Sequence, residues 1–600
     1  MTFKKIILVV LGSIVGVVIA GMIYITAIID PNDYKSEIVD QVEDNAHRHL
    51  VIDGDIAWRF FPNIGLTLGH TKIVNPAGFP DEPLMQFDSA QVDLAFWPLL
   101  SKSIEVGMIS IHGLSLNLHT RKDGVSNLDS NESIKEEINK EIEDAQSTGE
   151  MSIESVVIEG FKVVDAKVVI ENLAEGSKQT FDAINFTLGK LELDKIVAIT
   201  FAATIDTGDV KAYIQSKGDI KISEDLKRFD LINLATNIKA NGETLPNKKI
   251  EINIKTSGSF DTEKQYANLS SMTLSVLDID LKGSLSASLG NIPDIKFELK
   301  GGDVDLDAIL PKMTEEKPDE QVTEEAIDLF WMKSFNVKGL ITLDSLKVNN
   351  LTLSKIALPI ELKNAQLKLT DVKGEFYQGG ILANITLDGR RSEPKFSTKL
   401  SINDVQALPL VKDLLDDELI SGTMNMSAEI NGRGLDDKSI RKNSKGSGQF
   451  AFTDGAIHGV NVADLIRTTY AKIKGQTIEA SGEPNQTDFA SFTGSFNLNE
   501  GVVKNTDLKL LSPLLRISGA GIANIIDEKV DYKLKTSVVG TLQGQGGEEL
   551  KDLNSVSIPL KIKGPMADPK ISLDMNDLLE DKLIDTVKDK LKDKLKKWFD

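Results

Sequence analysis

The sequence predicts a mainly β protein: an N-terminal transmembrane helix, then a long, largely antiparallel β-sheet with a few amphipathic helices, one of them C-terminal. Three observations predict it. Residues 6–29, "IILVVLGSIVGVVIAGMIYITAII", hold no charged side chain. Segments rich in Val, Ile and Thr, broken by Gly, Asn and Asp, recur along most of the remaining chain. Within them apolar and polar residues alternate, as in residues 52–68, "IDGDIAWRFFPNIGLTL". Period two marks strands with one apolar and one wet face.

The first element is the apolar run. Its 24 residues, at about 1.5 Å each, exceed the ~30 Å of a hydrocarbon core. Val18-Ile19-Ala20 is a candidate cleavage site, but the run continues past Ala20, longer than a signal core, so an uncleaved anchor is expected. Lys4 and Lys5 precede the run while Asp30 and Asp33 follow it. By the positive-inside rule the N-terminus is cytoplasmic and the bulk of the chain periplasmic.

Next, Tyr34, Ile38, Val42, Ala46 and Leu50 repeat every fourth residue, which predicts an amphipathic helix over 33–50 begun by Asp30-Pro31 or Asp33. The alternating stretch follows. Pro62-Asn63 splits it, so a hairpin is expected, with Ile56, Trp58, Phe60, Ile64, Leu66 and Leu68 on one face. Strand texture then continues through "IEVGMISIHGLSLNLHT", "KKIEINIKTSG" and "GLITLDSLKVNNLTLSKIALPIELKNAQLKLTDVKGEF". Helical patterns are few: 131–146, and short pieces at 405–417 and 461–474. Residues 129–150 and 311–325 are acidic and poor in large apolar side chains, so they are expected as solvated connections. "GQFAFTDGAI" and "GSFNLNEGVV" echo each other, as stacked β-units do. At the end, Leu583, Val587, Leu591, Leu595, Trp598 and Phe599 form a helical stripe beside lysines. It suits a docking helix at a membrane or partner, or a cap on the sheet.

Composition narrows function. Acids outnumber bases 90 to 68, which argues against a nucleic-acid partner. With no cysteine there is no disulfide or thiolate chemistry. No Walker A, G-x-S-x-G or H-E-x-x-H pattern occurs, so no enzyme activity and no cofactor are expected. His47 and His49 lack a third ligand, and a solvated helix end outweighs a metal site there. "GTLQGQGGEEL" reads as a strand connection rather than a phosphate cradle.

The ordered set "NPAGF", "AQVDLAFWPLL", "DGVSN" and, later, "LSINDVQALPLVKDLLDDELISGTMNMSAEINGRG" and "VSIPLKIKGPMADPK" resembles the AsmA family of inner-membrane-anchored envelope proteins. The resemblance is close over 1–128 and 326–575 and one of texture over 150–310. Two departures stand: "HRHL" precedes the first strand phrase, and Leu128 rather than a Trp follows Asn127.

What the resemblance implies is a bridge-like lipid-transfer protein whose sheet curls into an elongated apolar groove. Residues 1–5 would be cytoplasmic, 6–29 the anchor, and 30–128 a chorein-like N-terminal module. Residues 151–310 and 326–574 would be groove segments separated by the acidic stretches, and 575–600 the terminal helix. The implied cargo is phospholipid moving between inner and outer membranes, with the six residues from Ile56 to Leu68 as groove lining. The outer membrane or an envelope partner would meet the C-terminal helix. The alternative is a periplasmic scaffold that assists assembly of outer-membrane proteins by lending an edge strand.

Overall fold

The computed structural model describes residues 30–46, 48–60, 64–94, 106–128, 159–173, 176–243, 245, 248–290, 292–309, 329–474, 484–539 and 557–574. The expected anchor at 6–29, the helical pattern at 131–146, the acidic stretch 311–325 and the C-terminal stripe from Leu583 to Phe599 lie outside them. Among the described residues no helix is long and apolar enough to cross a membrane. The chain divides into two compact units, Met1–Ser284 and Leu285–Asp600.

The first unit opens with a 3-10 turn, Pro31–Tyr34, and helix α1, Lys35–Ala46. Asp30 caps the turn, its carboxylate accepting from Asn32 N. Short strands follow: β1 (Leu50–Ile52), β2 (Ile56–Arg59), β3 (Gly65–Leu68), β4 (Thr71–Ile73), β5 (Met85–Phe87), β6 (Ser89–Leu94), β7 (Val106–His112) and β8 (Ser115–Thr120). Long strands succeed them: β9 (Gly160–Asn172), β10 (Ser177–Leu188), β11 (Ile196–Asp206), β12 (Val210–Ile222), β13 (Arg228–Gly242), β14 (Lys249–Asp261) and β15 (Tyr266–Val276). From β9 to β15 each strand pairs antiparallel with the next. The unit boundary falls inside β16 (Ile279–Ser288).

The second unit carries β17 (Asp294–Asp305), β18 (Asn336–Val348), β19 (Leu351–Lys363), β20 (Gln366–Phe376), β21 (Gly379–Asp388) and β22 (Lys395–Gln406). It continues with β23 (Thr423–Arg433), β24 (Lys445–His458), β25 (Gln486–Asn499), β26 (Val502–Leu511), β27 (Leu515–Asn524), β28 (Lys529–Val538), β29 (Ser557–Pro565) and β30 (Lys570–Leu573). Among the described residues, four α-helices interrupt the meander: α2 (Leu306–Ile309), α3 (Ala407–Leu415), α4 (Asp437–Asn443) and α5 (Val462–Lys474). α3 and α5 match the expected helical pieces.

Among the described residues, parallel pairing occurs at two places. β9 lies parallel to β7 and β8, and β18 parallel to β17. A parallel pair needs a crossover connection of a dozen or more residues. Those connections hold the acidic stretches 129–150 and 311–325.

Most other links are tight. Leu277-Asp278, Asn349-Asn350 and Tyr377-Gln378 have both residues at positive φ, the backbone of a two-residue hairpin that matches strand twist. Inside the long strands a second device recurs. Asp165, Asn233, Asp371 and Asp404 also have positive φ, beside shifts of register in β9, β13, β20 and β22. Each bulge leaves a backbone N–H without a ladder partner. A side chain on the adjacent strand accepts it: Asn185, Ser257, Asn384 and Asn425, at 3.2, 2.9, 2.9 and 3.1 Å. Bulges of this kind bend the strands and increase their twist.

Candidate functional site

The alternating stretch forms the expected hairpin. Ile56 faces Leu68 and Trp58 faces Leu66 across β2 and β3, so these four side chains share one face. Phe60 stacks on Trp58 at 6.3 Å. Ile64 immediately precedes β3, one alternation before Leu66, and residues 61–63 are not described. Ile56 is buried, whereas Trp58, Phe60, Ile64, Leu66 and Leu68 remain partly exposed. The burial of Ile56 has a local cause. The Asn32 side chain accepts from Ile56 N at 2.9 Å and donates to Ile56 O at 3.0 Å.

Opposite this face, Asp93 takes the Arg59 guanidinium in an ion pair shielded on both sides. Gly65 and Gly107 leave room for it. A β-carbon on Gly107 would stand 2.9 Å from Asp93 Cβ. Nearer the surface, Asp53 is held below the usual carboxylate range, mainly by its hydrogen bond from Lys72.

Two of the motifs that carried the family resemblance meet. Asn127 of "DGVSN" is fully buried. It donates to Asn75 Oδ1 of "NPAGF" at 2.9 Å and to Asn117 O at 2.7 Å, and accepts from His119 N at 3.0 Å. Asn75 in turn donates to Pro80 O and Glu82 O. A buried amide whose donors and acceptor are satisfied fixes loops that no apolar contact would hold. These motifs therefore hold the module together.

The apolar face does not end at the hairpin. Register pairs carry it strand by strand: Leu66 to Val92, Val92 to Ile109, Ile109 to Phe161, Phe161 to Leu188 and Leu188 to Ile199. Further along, Ile214, Ile238, Ile252 and Val276 continue it across β12–β15. Each is partly exposed. Among the described residues no helix packs as a layer on β10–β15. The reverse face is polar, with cross-strand pairs such as Lys239–Glu251 at 3.8 Å.

The sequence signal that marks these later residues is the same period-two alternation as at 52–68. The partner of each residue becomes visible only from register.

In the second unit the apolar face meets two fates. Val462, Ala463 and Ile466 of α5 cover Phe489, Leu510, Leu515, Ile517 and Leu560 in a closed cluster. Ala407 and Leu410 of α3 cover Phe376, Ile402, Val405 and Met424 in another. Elsewhere on the same face, rings lie over glycines. Phe297 faces Gly339, Phe396 faces Gly432, Phe496 faces Gly448 and Phe450 faces Gly494. In every pair a β-carbon on the glycine would collide with the ring, at 2.8 Å in the Gly494–Phe450 case.

No group of three His, Asp or Glu side chains suited to a metal occurs among the described residues. Depressions of about 790 and 560 Å³ lie along β22–β26. Most of their lining side chains are polar, including Lys399, Glu429, Asn425 and Asp507, and Ser495 Oγ donates to Asp507 Oδ2 there at 2.9 Å.

Fold and site together define a class: a β-sheet protein that keeps one face apolar from strand to strand. A profile of the AsmA family matches residues 1–297 and 181–508, and the chain belongs to that family. It is 21% identical over 590 residues to Protein AsmA of Escherichia coli (strain K12), covering 94% of this chain and 93% of that relative.

Proposed function

We propose that this chain is anchored in the bacterial inner membrane by residues 6–29 and conveys phospholipids toward the outer membrane along its apolar face. The protein acts as a conduit and not as an enzyme. The observation that carries this reading is the register-continuous apolar row from Leu66 to Ile199, partly exposed along its length. A face of that kind in an ordinary fold is covered by a second layer. Acyl chains supply the cover here. Each CH₂ withdrawn from water is worth about 0.8 kcal/mol, so two chains are held without specific contacts while head groups stay wet. A track without a closed pocket lets the lipid slide. The apolar stripe that runs from the 3-10 turn into α1 adds support. Tyr34 and Ile38 are 54% and 37% exposed just after the uncharged run, where lipid would meet them.

Mass spectrometry of lipids retained by the purified full chain tests the reading. Phospholipid should copurify, and Ile199→Asp should deplete it while the protein stays folded. Absence of phospholipid from the wild type overturns the conduit. Recovery of an unfolded outer-membrane protein crosslinked to edge strand β30, with no lipid, would favour the scaffold instead.

A further inference from the structure

The apolar face of the second unit splits along its own strands, and the split locates a track. In β22–β25 the halves bearing Val405, Met424 and Phe489 lie in clusters closed by α3 and α5, at 0%, 7% and 3% exposure. The other halves bear Phe396, Phe450 and Phe496. These three rings are partly exposed and belong to none of the unit's core clusters. Each sits directly opposite a glycine: Gly432, Gly494 and Gly448 respectively.

Glycine inside a strand weakens it and often marks close approach of another group. Here the approaching group is a ring folded down onto the backbone. A glycine rescued by a neighbouring ring keeps the strand dry without raising the surface. The result is a low, smooth, apolar floor beside a sealed core. We propose that, in the second unit, phospholipid acyl chains cross β22–β25 over the pairs Phe396/Gly432, Phe496/Gly448 and Phe450/Gly494. The half under α3 and α5 is ordinary core that lipid never touches. This rests on the conduit reading and places its path.

The test uses the full chain, given a phospholipid with a diazirine midway along one acyl chain, then irradiated and mapped by mass spectrometry. Adducts are expected on peptides carrying Phe396, Phe450 and Phe496, and none on Val405, Met424 or Phe489. Adducts confined to the first unit, or on the helix-covered half, overturn the placement and leave the conduit standing. No adduct anywhere, with no copurifying lipid, overturns the conduit itself.

A variant arm measures the floor. Gly432→Val props the Phe396 ring up, since that ring supplies the nearest atoms a β-carbon there would meet, and labelled lipid in the second unit should fall about tenfold, equivalent to an overpacking cost of roughly 1.4 kcal/mol. Gly432→Val combined with Phe396→Ala removes the clash and should restore labelling. The double variant also answers the case in which the single one fails to fold. Unchanged labelling in a folded Gly432→Val protein counts against the placement.

Discussion

The two units build the same kind of face and support it differently. In the second, helices seal part of the apolar face into closed clusters, with Leu515 and Leu560 each 1% exposed. In the first, the long strands β11–β14 carry Ile199, Ile214, Ile238 and Ile252 partly exposed, and the support comes from ladders, bulge-capping side chains and the buried Asn127. The difference teaches that strand pairing alone sustains a long sheet, while a tight core is added only where a helix is available to close it.

The largest expected effect breaks or confirms that contrast directly. Leu560→Ala should destabilise the second unit by about 3–5 kcal/mol, because it opens a cavity inside the buried cluster that also holds Leu515, Ile466 and Val538. Urea denaturation followed by hydrogen exchange, read region by region, checks it. Amides of β27–β29 should lose most of their protection while those of β11–β14 keep theirs. A uniform loss across both units would mean that they unfold as one and that the contrast is energetically idle.

Asn127→Ala probes the polar support of the first unit. It strands His119 N–H and Asn117 O in a dry interior, and each orphaned buried group costs about 1–3 kcal/mol. The expected loss is about 2–3 kcal/mol, seen as fast exchange in β5 and β8. Asn127→Asp should be no rescue, because a carboxylate cannot donate to Asn117 O. A variant as stable as wild type would show that the apolar hairpin alone holds the module.

Much of this was legible in the chain. Strand identity followed from alternation, and the helices at 407–415 and 462–474 from their stripes. The acidic stretches announced connections, and the parallel pairings explain why chain of that length was needed. What stayed hidden was register. Leu66 and Val92 each read as apolar strand residues, but nothing local says that they are neighbours. The turns were uneven for a physical reason. Asn349-Asn350 is a good left-handed pair, whereas Tyr377-Gln378 adopts positive φ only because tertiary packing imposes it. The glycine–ring pairs were invisible for the same reason as register. Gly448 and Phe496 are 48 positions apart, and each alone looks like an unremarkable strand residue.

A smaller effect belongs to the open face. Ile252→Ala, in the middle of the Ile238–Ile252–Val276 row, should cost about 1 kcal/mol in the lipid-free protein, since a partly exposed side chain forfeits only part of its transfer energy. Thermal unfolding with and without added phospholipid sharpens the comparison. The gap between wild type and variant should widen when lipid covers the face, because a ligand that binds only the folded state adds to its stability. A cost equal to that of Leu560→Ala would show that this face is already closed as a core, and the two units would then no longer differ.

The smallest expected effect tests how α3 is tied to its sheet. Tyr377 Oη donates to Asp413 Oδ2 at 2.6 Å, joining the β20–β21 turn to the helix that seals one of the core clusters. Tyr377→Phe should cost about 1 kcal/mol, the net worth of one such bond. The same contact sets a pH window. Burial first, and then the hydrogen bond to Asp413, push the Tyr377 phenol up to about 12. The neutral phenol is therefore the form that the folded state favours. Its contribution is complete below the unfolded value near 10 and is lost as pH rises through 12. Local exchange in α3 should speed up over that range in the wild type and not in Tyr377→Phe. Asp388 supplies the opposite control. Its hydrogen bond from Arg390 Nε, at 2.8 Å, holds its carboxyl down at about 2. Its contribution is present above the unfolded carboxylate value near 4 and disappears as pH falls toward 2. A wild-type α3 with no alkaline transition, and no more stable than that of Tyr377→Phe, would assign the tie to apolar packing of Ala407 and Leu410 alone. The second unit's sealed half would then rest on the hydrophobic contacts that the first unit does without.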